Sequence, residues 1–281
     1  MSIVFGFLSA VLYGITDFVA RFASQNVGVL RTMLYAQWLA AVVLTAAVAF
    51  IGLPQAPSEA WLLLLVSDGL ILCATAFLYR ALAIGRLIVV APVTAAYGGV
   101  TAVLSTLSGE QLSVSGFVAL TLLLAGAILV ARPVDAVSNE GSAKASGLVP
   151  ALCAACLYGA GFWLQGRYAI PRVGSLAAVW SYYALGSFLI PLVGAVRGES
   201  LAPPRGRDTL WVLAAGVGAV SAYLALAAGQ HAGSVAITTM LSSLASAVTV
   251  LLGLFFLRER VALPGWAGMT LIIIGLVLLH T

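Results

Sequence analysis

Charge is what this sequence has least of. Of its 281 residues 8% are Asp, Glu, Lys or Arg, where a soluble chain carries about a quarter. Apolar residues make up 62%, and the mean hydropathy is +1.12. A chain so short of polar groups cannot cover itself with a wettable surface, so it belongs in a bilayer. Histidine is scarcer still. His231 and His280 fall in a loop and at the terminus, so no His–acid or Ser–His pair lies within an apolar run, and intramembrane catalysis is disfavoured. Of three cysteines, Cys153 and Cys156 have CxxC spacing, but a second ligand pair is missing, which argues against a metal site. All three read as small buried apolar residues. A GxxxxGK[ST] loop is absent, which removes ATP drive within this chain, and no cofactor motif is found. A basic leader with a small-residue cleavage pattern is lacking too, so the N-terminus reads as mature protein. The net charge of +4 does not imply nucleic acid, because the basic residues sit in short gaps between apolar runs, where topology accounts for them.

What the chain has in quantity is apolar runs of bilayer length. About ten are present, near 3–22, 31–52, 61–80, 88–107, 113–131, 147–166, 174–196, 209–229, 234–256 and 264–280. They are continuous rather than alternating at period two, which excludes a barrel. The expected fold is therefore all-α and integral to the membrane. The widest polar gap, Arg132 to Ser146, is read as a linker between a first five-helix half, 1–131, and a second, 147–281.

The two halves repeat one another. Ile88 to Glu110 is written again as Ile237 to Glu259, with Val100-Thr101 falling on Val248-Thr249 and, after a one-residue gap, Glu110 on Glu259. Leu12-Tyr13-Gly14 recurs as Leu157-Tyr158-Gly159, and Tyr79 to Gly85 as Tyr223 to Gly229. Gly116-Phe117, Thr121-Leu122 and Gly126 recur as Gly265-Trp266, Thr270-Leu271 and Gly275. Several matches in one order indicate duplication. Five helices per half is an odd number, so the halves are inverted in the membrane, an architecture that places a substrate site between them near the midplane.

The aromatic–Gly pairs Tyr13-Gly14 and Tyr158-Gly159 are joined by Ala81-Leu82 and Ala225-Leu226 closing the third helices. Gly109-Glu110 and Arg258-Glu259 follow the fourth. With these, the chain resembles the EamA-type transporters of the drug/metabolite transporter superfamily over nearly its whole length. The resemblance implies a cavity lined by the first, third and fourth helices of each half. It also implies export of amino acids, other small metabolites, nucleotide sugars or drugs, often in exchange for protons. Two positions depart from the family pattern: Met240 matches Pro92, and Gln111 stands where a basic residue commonly follows the Glu.

Candidate site residues come from the polar groups inside the runs. Asp17 and Asp68 are the acids there, and a charge at such a depth costs about 2.5–3.5 kcal/mol on insertion scales, so each is a functional candidate. Asp17 shares a face with Tyr13 and Arg21, and is either a proton-coupling carboxylate and amine anchor or one partner of a structural pair with Arg21. Asp68 is either a substrate ligand or an interhelical hydrogen-bonding group. The second half has Phe162 at the place of Asp17, so any coupling is asymmetric. Hydroxyls recur on one face of each fourth helix: Thr94, Tyr97, Thr101 and Ser105, then Thr239, Ser242, Ser246 and Thr249. The substrate-binding set is therefore Tyr13, Asp17, Asp68, Tyr97, Thr101, Tyr158, Trp163, Ser246 and Thr249. Tyr79 and Tyr223, toward helix ends, read as interfacial or packing aromatics more than as cavity lining. Arg80 and Arg86 read as orientation signals, His231 as a solvated loop residue, Glu110 and Glu259 as caps of the following helix, and Pro92 as a kink near the start of the fourth helix. Gly229-xxx-Gly233 reads as close helix packing.

Eleven of the thirteen basic residues lie in gaps after odd-numbered runs; Arg167 and Arg172 are the exceptions. The positive-inside rule then places both termini outside, whereas the family resemblance implies both inside. The expected function is a secondary transporter in the plasma membrane, as monomer or homodimer. It would export a small polar or amphipathic metabolite such as an amino acid, with protons as the candidate coupling ion. A multidrug exporter of lipophilic cations is the second reading.

Overall fold

The computed structural model describes residues 1–110, 114–130, 147–257 and 263–278. Gln111, the 132–146 linker, Glu259 and His280 lie outside the described residues. Among those described, the fold is helical throughout, with no strand. The first half contains α1 (Ser2–Asn26), α2 (Val29–Ile51), α3 (Ser58–Ile84), α4 (Leu87–Thr94), α5 (Tyr97–Leu107) and α6 (Val114–Val130). The second contains α7 (Leu148–Leu164), a π-turn (Gln165–Ala169), α8 (Ile170–Arg197), α9 (Arg207–His231), α10 (Val235–Ser242), α11 (Ala245–Leu257) and α12 (Leu263–Leu278). Taking α4 with α5, α10 with α11, and Leu148–Arg197 as one element, seven helices are long and apolar enough to cross a membrane. Leu148–Arg197 is 50 residues long and breaks at Gly174, whose φ of 78° is open to glycine and strained for other residues. The helix therefore breaks at 174, where a new apolar run begins. The outer surface carries side chains that water would not tolerate, such as Phe50, Phe188 and Phe255, in keeping with a lipid-facing rim.

The helices pack mainly across the two halves. α1 lies along α9, α3 along α7, α2 against α8, and α6 against α12. Small residues make these approaches close, which in a bilayer replaces the hydrophobic drive that is missing there. Two contacts mirror one another. A Cβ on Gly14 would sit 2.4 Å from Val248 Cβ, and one on Gly159 would sit 2.4 Å from Val100 Cβ. Beside each, a threonine donates to the glycine carbonyl: Thr249 Oγ1 to Gly14 O at 3.1 Å, and Thr101 Oγ1 to Gly159 O at 2.9 Å. The duplicated Tyr-Gly of one half thus docks on the duplicated Val-Thr of the other.

Both fourth helices are interrupted at matching places. Between α4 and α5, Ala96 N–H and Gly98 N–H reach back three residues, to Val93 and Ala95. Between α10 and α11, Leu244 and Ala247 do the same to Leu241 and Leu244. Pro92 was expected to kink the fourth helix near its start, but the break comes at Ala95–Ala96, three residues on. The second copy breaks without any proline. There Ser243 Oγ donates to Met240 O at 2.6 Å, the kind of side-chain competition that bends helices.

Candidate functional site

A cavity opens between the halves. It is walled by the later turns of α1 and α3, the first half of α2, and facing stretches of α7, α8 and α9, with the α4–α5 and α10–α11 breaks at its back. Its empty space, counted out to the mouth, is about 760 Å³. The wall is chiefly aromatic. Tyr158 stacks on Phe162 with ring centroids 5.3 Å apart, Tyr97 and Tyr223 meet Phe162 edge-on, and Tyr182 packs against Tyr183 and Tyr223. Several of these hydroxyls are tied into the wall. Tyr158 donates to Thr75 Oγ1 (2.9 Å), which also shares a hydrogen with Tyr182 (2.9 Å). Tyr97 donates to Ser242 Oγ (3.2 Å), itself bonded to Ser9 (2.8 Å). With these hydroxyls held, the rings form the apolar part of the cavity lining.

Asp17 supplies the carboxylate in this wall, and no lysine or arginine is among the described lining residues. The alternative of an Asp17–Arg21 pair gives way to another contact: Arg21 Nη1 donates to Gly85 O at 3.0 Å. Thr16, Gln37, Thr75 and Thr94 add further polar groups.

Of the predicted site residues, the structure brings Tyr13, Asp17, Tyr97 and Tyr158 together at the cavity. Five others are elsewhere. Thr101 and Thr249 are spent on the cross-half glycine carbonyls, and Ser246 is buried in helix packing without lining the cavity. Trp163 Nε1 donates to Ser108 Oγ (2.9 Å) at the opposite end of the molecule. Asp68 is fully buried against Gln165 (2.9 Å). The hydroxyl face of the fourth helices therefore looks mostly at protein. Tyr79 and Tyr223 are not interfacial: both are buried and line the cavity. Conversely, Cys73 and Cys156 are exposed rather than buried. Gln37, Tyr182 and Tyr183 went unnoticed because they lie on the second helix of each half, where the repeat is faint and the resemblance names no lining residues. The cue that could have found them is the polar Gln37 in an otherwise apolar run.

Contacts join the two halves at the other end of the molecule. Arg167 Nη2 donates to Ser108 O (3.2 Å), and Gly233 leaves room for Ser2. Glu110, expected to cap or tether the following helix, makes its described contacts across the halves. It accepts from the Ser234 hydroxyl and, at 3.4 Å, from Ala236 N–H, while Ser234 Oγ accepts from Ile237 N–H at 3.0 Å. The carboxylate thus closes the N-terminus of α10, across the halves, where unpaired N–H groups favour an anion. Glu110→Ala is expected to lower stability by about 1 kcal/mol, the usual scale of a lost N-cap. A melt in detergent checks this, and an unchanged melting temperature would contradict the cap.

Three comparisons bear on this arrangement. The sequence profile described as the EamA-like transporter family matches residues 1–132 and 145–281. An uncharacterised protein of Methanocaldococcus jannaschii is 41% identical over 63 residues, which is 22% of this chain and 43% of that protein. The match therefore spans under half of that relative. A solved structure titled only as the crystal structure of a protein superposes with a TM-score of 0.77 over 99% of this chain and 95% of its own, at 19% identity, a likeness of fold.

Proposed function

The chain belongs to the EamA-like transporter family, and from that premise we propose that it is a secondary transporter exporting a small amphipathic metabolite that carries an amine, such as an amino acid, across the plasma membrane. The observation that carries this reading is Asp17, a carboxylate set in a tyrosine-walled cavity between the halves. In this reading the chain forms ten spans, as inverted halves 1–131 and 147–281, which rock about the contacts of Gly14 and Gly159. Asp17 holds the amine, Gln37 and Thr94 meet polar groups, and the ring faces take the apolar part and, by cation–π attraction, share the positive charge.

Protons supply the drive. A proton and a cationic amine compete for the Asp17 carboxylate. On the acidic side protonation releases the substrate; on the alkaline side the proton leaves and substrate binds. Substrate affinity therefore falls as pH falls, and the two fluxes run in opposite directions. The aromatic wall, without a lysine or arginine to receive a substrate carboxylate, favours one second reading, a lipophilic cation without an acid group.

Proteoliposome flux tests both. A panel of amino acids, sugars and lipophilic cations is offered with and without an imposed pH gradient. Saturable, gradient-accelerated movement of an amino acid is the expected result, and movement confined to the cations selects the second reading. If no compound moves, the transport proposal fails.

A further inference from the structure

A second acid stands behind the cavity wall. Asp68, on α3, is 0% exposed; its Oδ1 accepts from Gln165 Nε2 at 2.9 Å, while Oδ2, shut away from solvent, has no hydrogen-bond partner. Gln165 Oε1 in turn accepts from Tyr223 OH at 2.7 Å, and Tyr223 lines the cavity. A continuous line of hydrogen bonds therefore joins the cavity surface to a buried carboxyl. Gln165 opens the π-turn that interrupts the helix following α7, and such turns recur at functional positions.

Among the described residues no cation compensates Asp68: Arg80, on α3 itself, is exposed near the end of the helix. On the elements packed against α3, Arg21 donates to Gly85 O, Arg167 to Ser108 O, Arg197 is beside Glu199, Arg172 is exposed, Arg31 opens α2, and His231 is exposed at the end of α9. α4 and α7 contain no basic residue. The titratable groups near enough to feel its charge are Tyr182 on α8 and Tyr223 on α9, and the Ser181 hydroxyl is beside it. An ionised carboxylate here would hold a full charge, in the membrane's low dielectric, against a single amide donor, a costly arrangement. A proton on the partnerless Oδ2 removes that charge.

We propose that Asp68 is a second proton-binding site, occupied in this state and linked to the cavity through Gln165 and Tyr223. A ligand that draws the Tyr223 hydroxyl to itself takes a donor from Gln165, frees its amide to turn, and changes how well Oδ1 is held. By reciprocity, the proton on Asp68 changes ligand affinity by the same factor. The significance of that link rests on the transport reading; the location of the proton does not.

Infrared spectroscopy of the full chain in liposomes at neutral pH, with no ligand added, tests it. The protonated carboxyl gives a C=O stretch resolved from that of carboxylate. Wild type is expected to show a band that Asp17→Asn keeps and Asp68→Asn loses, and Tyr223→Phe is expected to shift it. A band that survives Asp68→Asn, or a wild type with none, overturns the proposal. Where Asp68→Asn does not insert, the Tyr223→Phe shift decides, and an unshifted band overturns the link. Wild type that shows the band and moves no compound keeps this inference and loses the transport reading, and flux without the band does the reverse.

Discussion

Asp17→Asn is expected to abolish the substrate gradient that wild type builds against an imposed pH difference. With one proton exchanged per substrate, a difference of one pH unit is worth about 1.4 kcal/mol and sustains roughly a tenfold substrate gradient. Asparagine has nearly the same volume and still hydrogen-bonds, so the cavity keeps its shape. It carries no charge to hold an amine and no proton to exchange, so accumulation falls to the level reached without a gradient. Counterflow in proteoliposomes, with the same protein checked for monodispersity, measures this. Equal accumulation by Asp17→Asn and wild type would remove Asp17 from the coupling step and leave it a wall residue.

The second large effect is structural. Gly14→Val places a branched side chain where even a Cβ would meet Val248 Cβ at 2.4 Å and the Ala245 carbonyl at 2.8 Å. No rotamer of Val248 relieves a clash at its own Cβ, so helix α1 must move off α11 and the Thr249 bond to Gly14 O is lost with it. Overpacking of this kind costs about 1–3 kcal/mol where neighbours can give, and here they are backbone and Cβ. Gly14→Val should therefore yield little monodisperse protein on gel filtration. The milder Gly14→Ala should lower the melting temperature, and adding Val248→Gly should restore it. If Gly14→Val melts with wild type, the close contact does not exist in the membrane.

How much of this could be read beforehand depends on what each residue answers to. The helical, membrane-bound character follows from composition, and the break at Gly174 was legible because the apolar run restarts there. The Tyr-Gly and Val-Thr pairs stood out because the sequence writes each twice, and the structure brings each Tyr-Gly against the other half's Val-Thr. Which way their hydroxyls faced was not legible. A threonine on a helix face is equally suited to a ligand or to a carbonyl on the next helix, and periodicity cannot distinguish them; Thr101 and Thr249 chose the carbonyl. Tyr79 and Tyr223 were misread because distance from a helix end predicts depth only for a helix that is straight and lipid-exposed. Both helices here are shielded by others. The side chains of α2 and α8 were invisible for the opposite reason, because they lie where the two copies have drifted apart.

The reciprocal seating of Gly14 on Val248 and Gly159 on Val100 has a consequence for biogenesis. The first half is synthesised before α7 and α11 exist, so until those helices are made the Val100 ridge and the grooved face of α1 lie against lipid or against the insertion machinery. The second half cannot assemble in isolation either, since its own ridge and groove both need the first. Seating of α1 therefore waits on α11, and a nascent chain stalled before α7 presents two unfilled surfaces in the bilayer at once.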